Sequence, residues 1–151
     1  MYSRILVPVD GSETSRRGLR EAIRLAANQR SGLRCLYVID EHVLFDAPFA
    51  YPGLIEKMRD AGETILDGAS SEARDAGVSV ESVLRESGGR RVSKAILEEA
   101  ASWPADLIVM GTHGRRGLSH LALGSDAELV VRESPVPVLL VRASASTAEK
   151  S

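Results

Sequence analysis

Cysteine is almost absent: Cys35 is the one in 151 residues, so no internal disulfide can form. It lies in an apolar run, Leu33 to Val38, which fits a buried, inert thiol better than a reactive one. No apolar stretch approaches the roughly 20 residues of a membrane span. The first ten residues, MYSRILVPVD, lack the apolar core of a signal peptide. A reducing, cytoplasmic setting is therefore expected. A basic balance is missing too: the net charge is −2 and the pI about 5.9. That argues against nucleic acid as a partner. The three histidines, His42, His113 and His120, have no neighbouring carboxylate cluster with metal-ligand spacing. No Ser/His/Asp constellation marks a nucleophilic enzyme.

What remains is an ordinary globular composition with 44% hydrophobic residues, enough for one core. Short β-branched runs alternate with longer amphipathic ones, the pattern of βαβ units. The expected strands are residues 5–9, 33–39, 78–84, 106–110 and 138–142. The expected helices are residues 13–29, 54–76, 91–103 and 125–133. Leu19, Ala22, Ile23, Ala26 and Ala27 mark the inner face of the first helix. Leu54, Met58, Ala61, Ile65 and Ala69 mark that of the second. In the third, Val92, Ala95, Ile96 and residues 99–101 form the apolar side, with Trp103 closing the core. Pro8 removes a ladder donor and belongs near its strand's end. Strict alternation implies α/β architecture: a doubly wound, five-stranded parallel sheet with helices on both faces, Rossmann-like. Residues 1–143 form one domain on this reading, and residues 144–151 a small, polar, disordered tail. Residues 40–53, with Phe45, Phe49 and Tyr51, read as a loop. Those aromatics can form a lid or simply pack the loop down.

Two loops after strands could carry chemistry. In doubly wound sheets ligands sit beyond the C-terminal strand ends, where the strand order reverses. The first loop is Asp10, Gly11, Ser12. The Asp10 carboxylate can accept from ribose hydroxyls, or it can merely shape an Asx turn. The second runs from Gly111 past Gly114 to Gly124 and Ser125, where a helix opens. Glycines let backbone N–H groups reach phosphate oxygens, and a helix start adds unpaired N–H groups and a positive dipole end. Equally, the glycines can make turns and Ser125 can be a helix cap. The loop is neither a Walker sequence nor G-x-G-x-x-G. Arg115 and Arg116 can face phosphates or solvent.

The spacing Gly111-x2-Gly114-x9-Gly124-Ser125 resembles the signature of the universal stress protein family. So do the runs at residues 5–12, 36–40, 105–111 and 134–142, so that the resemblance covers the whole chain except the tail and the loop at 41–53. The resemblance implies a sheet in the order 3-2-1-4-5 and binding of ATP. It places Asp10 on the ribose, Val38 at the adenine, and Gly111 against ribose and first phosphate. Gly114, Gly124 and Ser125 would hold the phosphates. Pro8, Met110, Arg115 and Asp126 complete the candidate site. Mg²⁺ can accompany the nucleotide. A homodimer paired through the last strand, between Val136 and Val141, is also implied. Position 126 departs from the family, which usually has a small or β-branched residue there. A carboxylate pointing inward would repel a triphosphate and make AMP or ADP a competitor; one pointing out would favour the helix dipole. The function this implies is a stress-response regulator. A slow ATPase, or an interaction module with a vestigial nucleotide site, are the alternatives.

Overall fold

The computed structural model describes residues 1–41, 52–113 and 123–143. The expectations placed on the aromatics of the central loop, on Gly114, Arg115, Arg116 and His120, and on the tail at 144–151 lie outside the described residues.

The elements follow in strict alternation: β1 (Arg4–Pro8), α1 (Glu13–Gln29), β2 (Gly32–Ile39), α2 (Leu54–Asp75), β3 (Val80–Glu86), α3 (Val92–Ser102), β4 (Leu107–Gly111), α4 (Ser125–Glu133) and β5 (Val138–Val141). All strands are parallel, in the order β3-β2-β1-β4-β5. The near-continuous apolar strands suit this arrangement, because both faces of the sheet are covered. Ile5, Val7, Leu33, Cys35 and Val109 face α1 and α2, whose Leu19, Ala22, Leu66 and Ala69 complete one core. Leu6, Leu36, Ile108 and Met110 face α3 and α4, where Ile96, Ala100, Ala127 and Val130 form the second. Burial pushes the Cys35 thiol up to about 12 from its ordinary 9.0, so it stays protonated and inert.

Three helix faces differ from the periodicity. Ala27 is exposed on α1, where Gly18 lies on the buried side against Met110. In α2, Ala61 is exposed and the buried stripe is Gly62, Leu66, Ala69, Ser70 and Ala73. The reason is Gly62: a Cβ there would fall 2.5 Å from Tyr37 Cδ1, so the helix seats its glycine on the ring. Hydropathy gives glycine no weight; Met58, Ile65 and Ala69 pack on the core as the periodicity marks, and Gly62 takes the place of Ala61. In α3, Glu99 and Ala100 are buried on the side the periodicity marks, and Ala101 faces solvent instead.

The β1–β4 pairing ends at Leu6↔Ile108, although β4 continues to Gly111. Pro8 ends β1 and brings no N–H to extend that ladder. The two strand ends therefore part where the order of the sheet reverses.

Candidate functional site

The parted ends of β1 and β4 open into a cavity of about 350 Å³. Its base is Pro8 and Val9 at the end of β1, Leu36 and Val38 on β2, and Met110 and Gly111 on β4. Met58 of α2 and Val92 and Ile96 of α3 form apolar walls. Gly124, Ser125, Asp126 and Ala127 bring the N-terminus of α4 to it. Asp10, Ser15, Asp40 and His113 supply the remaining polar groups. Pro8, Asp10, Val38, Met110, Gly111, Gly124, Ser125 and Asp126, singled out above from four separate stretches of sequence, thus line one space. Met58, Val92 and Ile96 were not expected there. They lie within helices whose periodicity marks them as core, and only helix packing turns them toward the cavity.

Local chemistry fixes the Asp10 loop. Gly11 has φ +83°, a left-handed conformation that suits glycine. Asp10 Oδ1 accepts from Ser12 N–H at 2.9 Å, an Asx turn, and Asp10 N–H donates to Ser15 Oγ at 3.0 Å. Ser12 caps α1, its Oγ accepting from Ser15 N–H at 3.2 Å. The turn and the ligand role are compatible, because the second oxygen, Oδ2, takes no hydrogen bond among the described residues.

Val38 lies two residues beyond the last β1–β2 pair, Pro8↔Leu36, while remaining paired with Arg85 of β3. Its backbone is thus uncovered on the β1 side, next to the cavity.

Gly111 and Gly124 are fixed by close approach. A Cβ on Gly111 would lie 2.9 Å from Ser15 N, at the first turn of α1. One on Gly124 would lie 3.1 Å from His113 Cα. Gly124 N–H donates to Thr112 O at 2.7 Å, and Thr14 Oγ1 donates to His113 O. Gly124, not Ser125, is the cap residue of α4, with extended backbone (φ −63°, ψ 151°) and no side chain to bond. The first intrahelical bond is Glu128 N–H to Gly124 O at 2.9 Å. The N–H groups of Ser125, Asp126 and Ala127 precede it, as the opening donors of a helix must. The Ser125 side chain is exposed and takes no capping role.

Asp126 turns sideways. Its Oδ1 accepts from Ser93 N–H at 3.1 Å, in the first turn of α3, whose own cap residue Arg91 makes no side-chain capping bond. One carboxylate thus caps a neighbouring helix while its residue still lines the cavity. Among the described residues no group of three or more His, Cys, Asp or Glu is arranged to hold a metal ion.

A family model described as the universal stress protein family matches residues 1–142. The universal stress protein MJ0531 of Methanocaldococcus jannaschii is 31% identical over 144 residues, covering 94% of this chain and 83% of its own. A protein from the universal stress protein family of Burkholderia pseudomallei superposes with a TM-score of 0.77 at 34% identity, covering 94% of this chain and 97% of its own. A universal stress protein solved in complex with cAMP superposes with a TM-score of 0.69 at 27% identity, covering 95% of this chain and 98% of that one.

Proposed function

The chain belongs to the universal stress protein family, and from that premise we propose that its cavity binds an adenine nucleotide, occupancy of which regulates a stress response. One observation carries the reading: residues from β1, β2, β4 and the head of α4, drawn from distant parts of the chain, line a single cavity at the switch point of a doubly wound sheet. The cAMP complex of a 27%-identical relative supports the same ligand class.

The residues present fit such a ligand. Val38, Met58, Ile96 and Met110 offer an apolar slot for the base, with uncovered backbone at Val38. Asp10 Oδ2 accepts from the ribose hydroxyls. Gly111 lies against ribose and first phosphate, and the opening N–H groups of α4, with Gly124 and Ser125, hold phosphate oxygens. Gly114 and Arg115 complete the phosphate loop on this reading, and Mg²⁺ can ride on the phosphates of ADP or ATP. Ligand binding changes what the protein does by favouring one arrangement of the loops, and through them the dimer, over another. The dimer forms through β5, an edge of the sheet on which Leu139 is 40% exposed.

The test begins with protein purified without added nucleotide. Denaturation followed by chromatography and mass spectrometry identifies any small molecule it releases, and calorimetry measures binding of ATP, ADP and AMP. Asp10→Ala is expected to weaken nucleotide binding about tenfold, the size of a hydrogen bond to a charged group. It is also expected to abolish any preference for AMP over 2′-deoxy-AMP. No heat with any of the three nucleotides at millimolar concentration would refute the proposal.

A further inference from the structure

We infer that Ser15 is a further binding residue of this cavity, its hydroxyl donating to the first phosphate of the nucleotide; the inference rests on the adenine-nucleotide reading above. Ser15 stands in the first turn of α1 and lines the cavity, although the residue is only 5% exposed. Its other polar capacity is spent inside the protein. The backbone N–H donates to Ser12 Oγ at 3.2 Å, and the side-chain Oγ accepts from Asp10 N–H at 3.0 Å. A serine hydroxyl also carries one donor. That proton meets no acceptor among the described residues. A buried donor left unpaired costs free energy, so an acceptor reaching it through the cavity gains by doing so.

Position selects the phosphate as that acceptor. The apolar slot proposed for the base is built mainly from β2, α2 and α3, through Val38, Met58 and Ile96. Ser15 lies instead at Gly111, where a Cβ would stand 2.9 Å from Ser15 N. Gly111 is the residue read above as lying against ribose and first phosphate. Ser15 is also at the positive end of α1, a helix of 17 residues, where negative charge is favoured. A phosphate oxygen carries that charge and a ribose oxygen does not, and a hydroxyl donating to an ionised oxygen makes the stronger bond. One side chain thus serves two ends of the ligand. It holds the Asp10 backbone behind the ribose acceptor, and it gives its proton to the phosphate.

The experiment is calorimetry on the whole protein in EDTA with AMP and adenosine, adenosine also by displacement of AMP, repeated with Ser15→Ala and Ser15→Cys. Ser15→Ala is expected to weaken AMP about tenfold, the size of a hydrogen bond to a charged group, and adenosine less than about threefold. Cysteine is close to serine in size but a weak donor, and the same loss confined to AMP is expected of it. If Ser15 serves only to hold Asp10, both ligands share the ribose that Asp10 reads, and both weaken equally. An equal loss of both ligands, or an AMP affinity that neither variant moves, overturns the inference. If alanine prevents folding, the cysteine variant decides by the same comparison. Failure of the unaltered protein to bind either ligand instead overturns the reading of the cavity itself.

Discussion

A Cβ on Gly111 would stand 2.5 Å from Thr14 Oγ1 and 2.7 Å from the Thr14 carbonyl carbon. Most of that clash is with backbone at the first turn of α1, which cannot swing away as a side chain can. Thr14 is itself buried and bonded to His113 O. Gly111→Ala is therefore expected to cost about 1–3 kcal/mol, the usual range for forcing an extra carbon into a packed site. Denaturant unfolding should show a lower midpoint with an unchanged slope. The glycine spacing pointed to this residue through its resemblance to a phosphate loop. That Gly111 is also where α1 docks on β4 was not readable, because its partner lies 97 positions earlier. The same holds for Asp126. Its departure from the family pattern was plain in sequence, yet only the fold reveals that it faces Ser93.

At the scale of the element, α3 carries a charge on the face its periodicity marks as buried. Its buried face carries Glu99, which is 3% exposed. Glu99 Oε2 accepts from Arg34 of β2 at 2.6 Å, and Oε1 from Arg85 of β3 at 2.7 Å. The Arg34 guanidinium also lies 4.7 Å from the ring centre of Trp103, at the C-terminal cap of α3. Trp103 thus packs at the helix end, as its position implied, and additionally covers a charge. Together these contacts clamp α3 to the β2–β3 half of the sheet and hold Val92 and Ile96 against the cavity. Removing the acid leaves Arg34 partly buried without its closest counter-charge. Glu99→Ala is expected to destabilise the fold by about 3–5 kcal/mol, measured by denaturant titration. Replacing Arg34 and Glu99 together by leucine should recover much of that loss. Periodicity puts Glu99 on the inner side of its helix, but nothing local names the groups that offset its charge. Only the two arginines, on different strands, make its burial affordable.

For the whole molecule, the sheet order places β1 and β4 side by side and leaves β3 and β5 at the edges. Leu139 on β5 and Val131 on α4 are 40% and 46% exposed. An unpaired apolar edge strand invites pairing with a second copy. The proposed dimer predicts that light scattering on the eluting protein gives twice the chain mass, and that Leu139→Lys shifts it to the monomer. A monomeric parent would remove the dimer from the proposal and leave the nucleotide site standing. Among the described residues, no helix is long and apolar enough to cross a membrane.

Sequence by itself determined the number, kind and order of the elements, because strand and helix periods are written in neighbouring residues. It also marked the two loops, since glycine and aspartate at strand ends have few local roles. Helix boundaries such as Glu13–Gln29 and Ser125–Glu133 were readable for the same reason. Tertiary structure alone decided what those residues face. The exposed side of Ala61, the seat of Gly62 on Tyr37, the pairing of Glu99 with Arg34 and Arg85 and the reach of Asp126 to Ser93 all depend on pairs far apart in the chain. Periodicity says that a face is buried. It does not say against what, because the energy of a contact belongs to both partners and only folding chooses the second one.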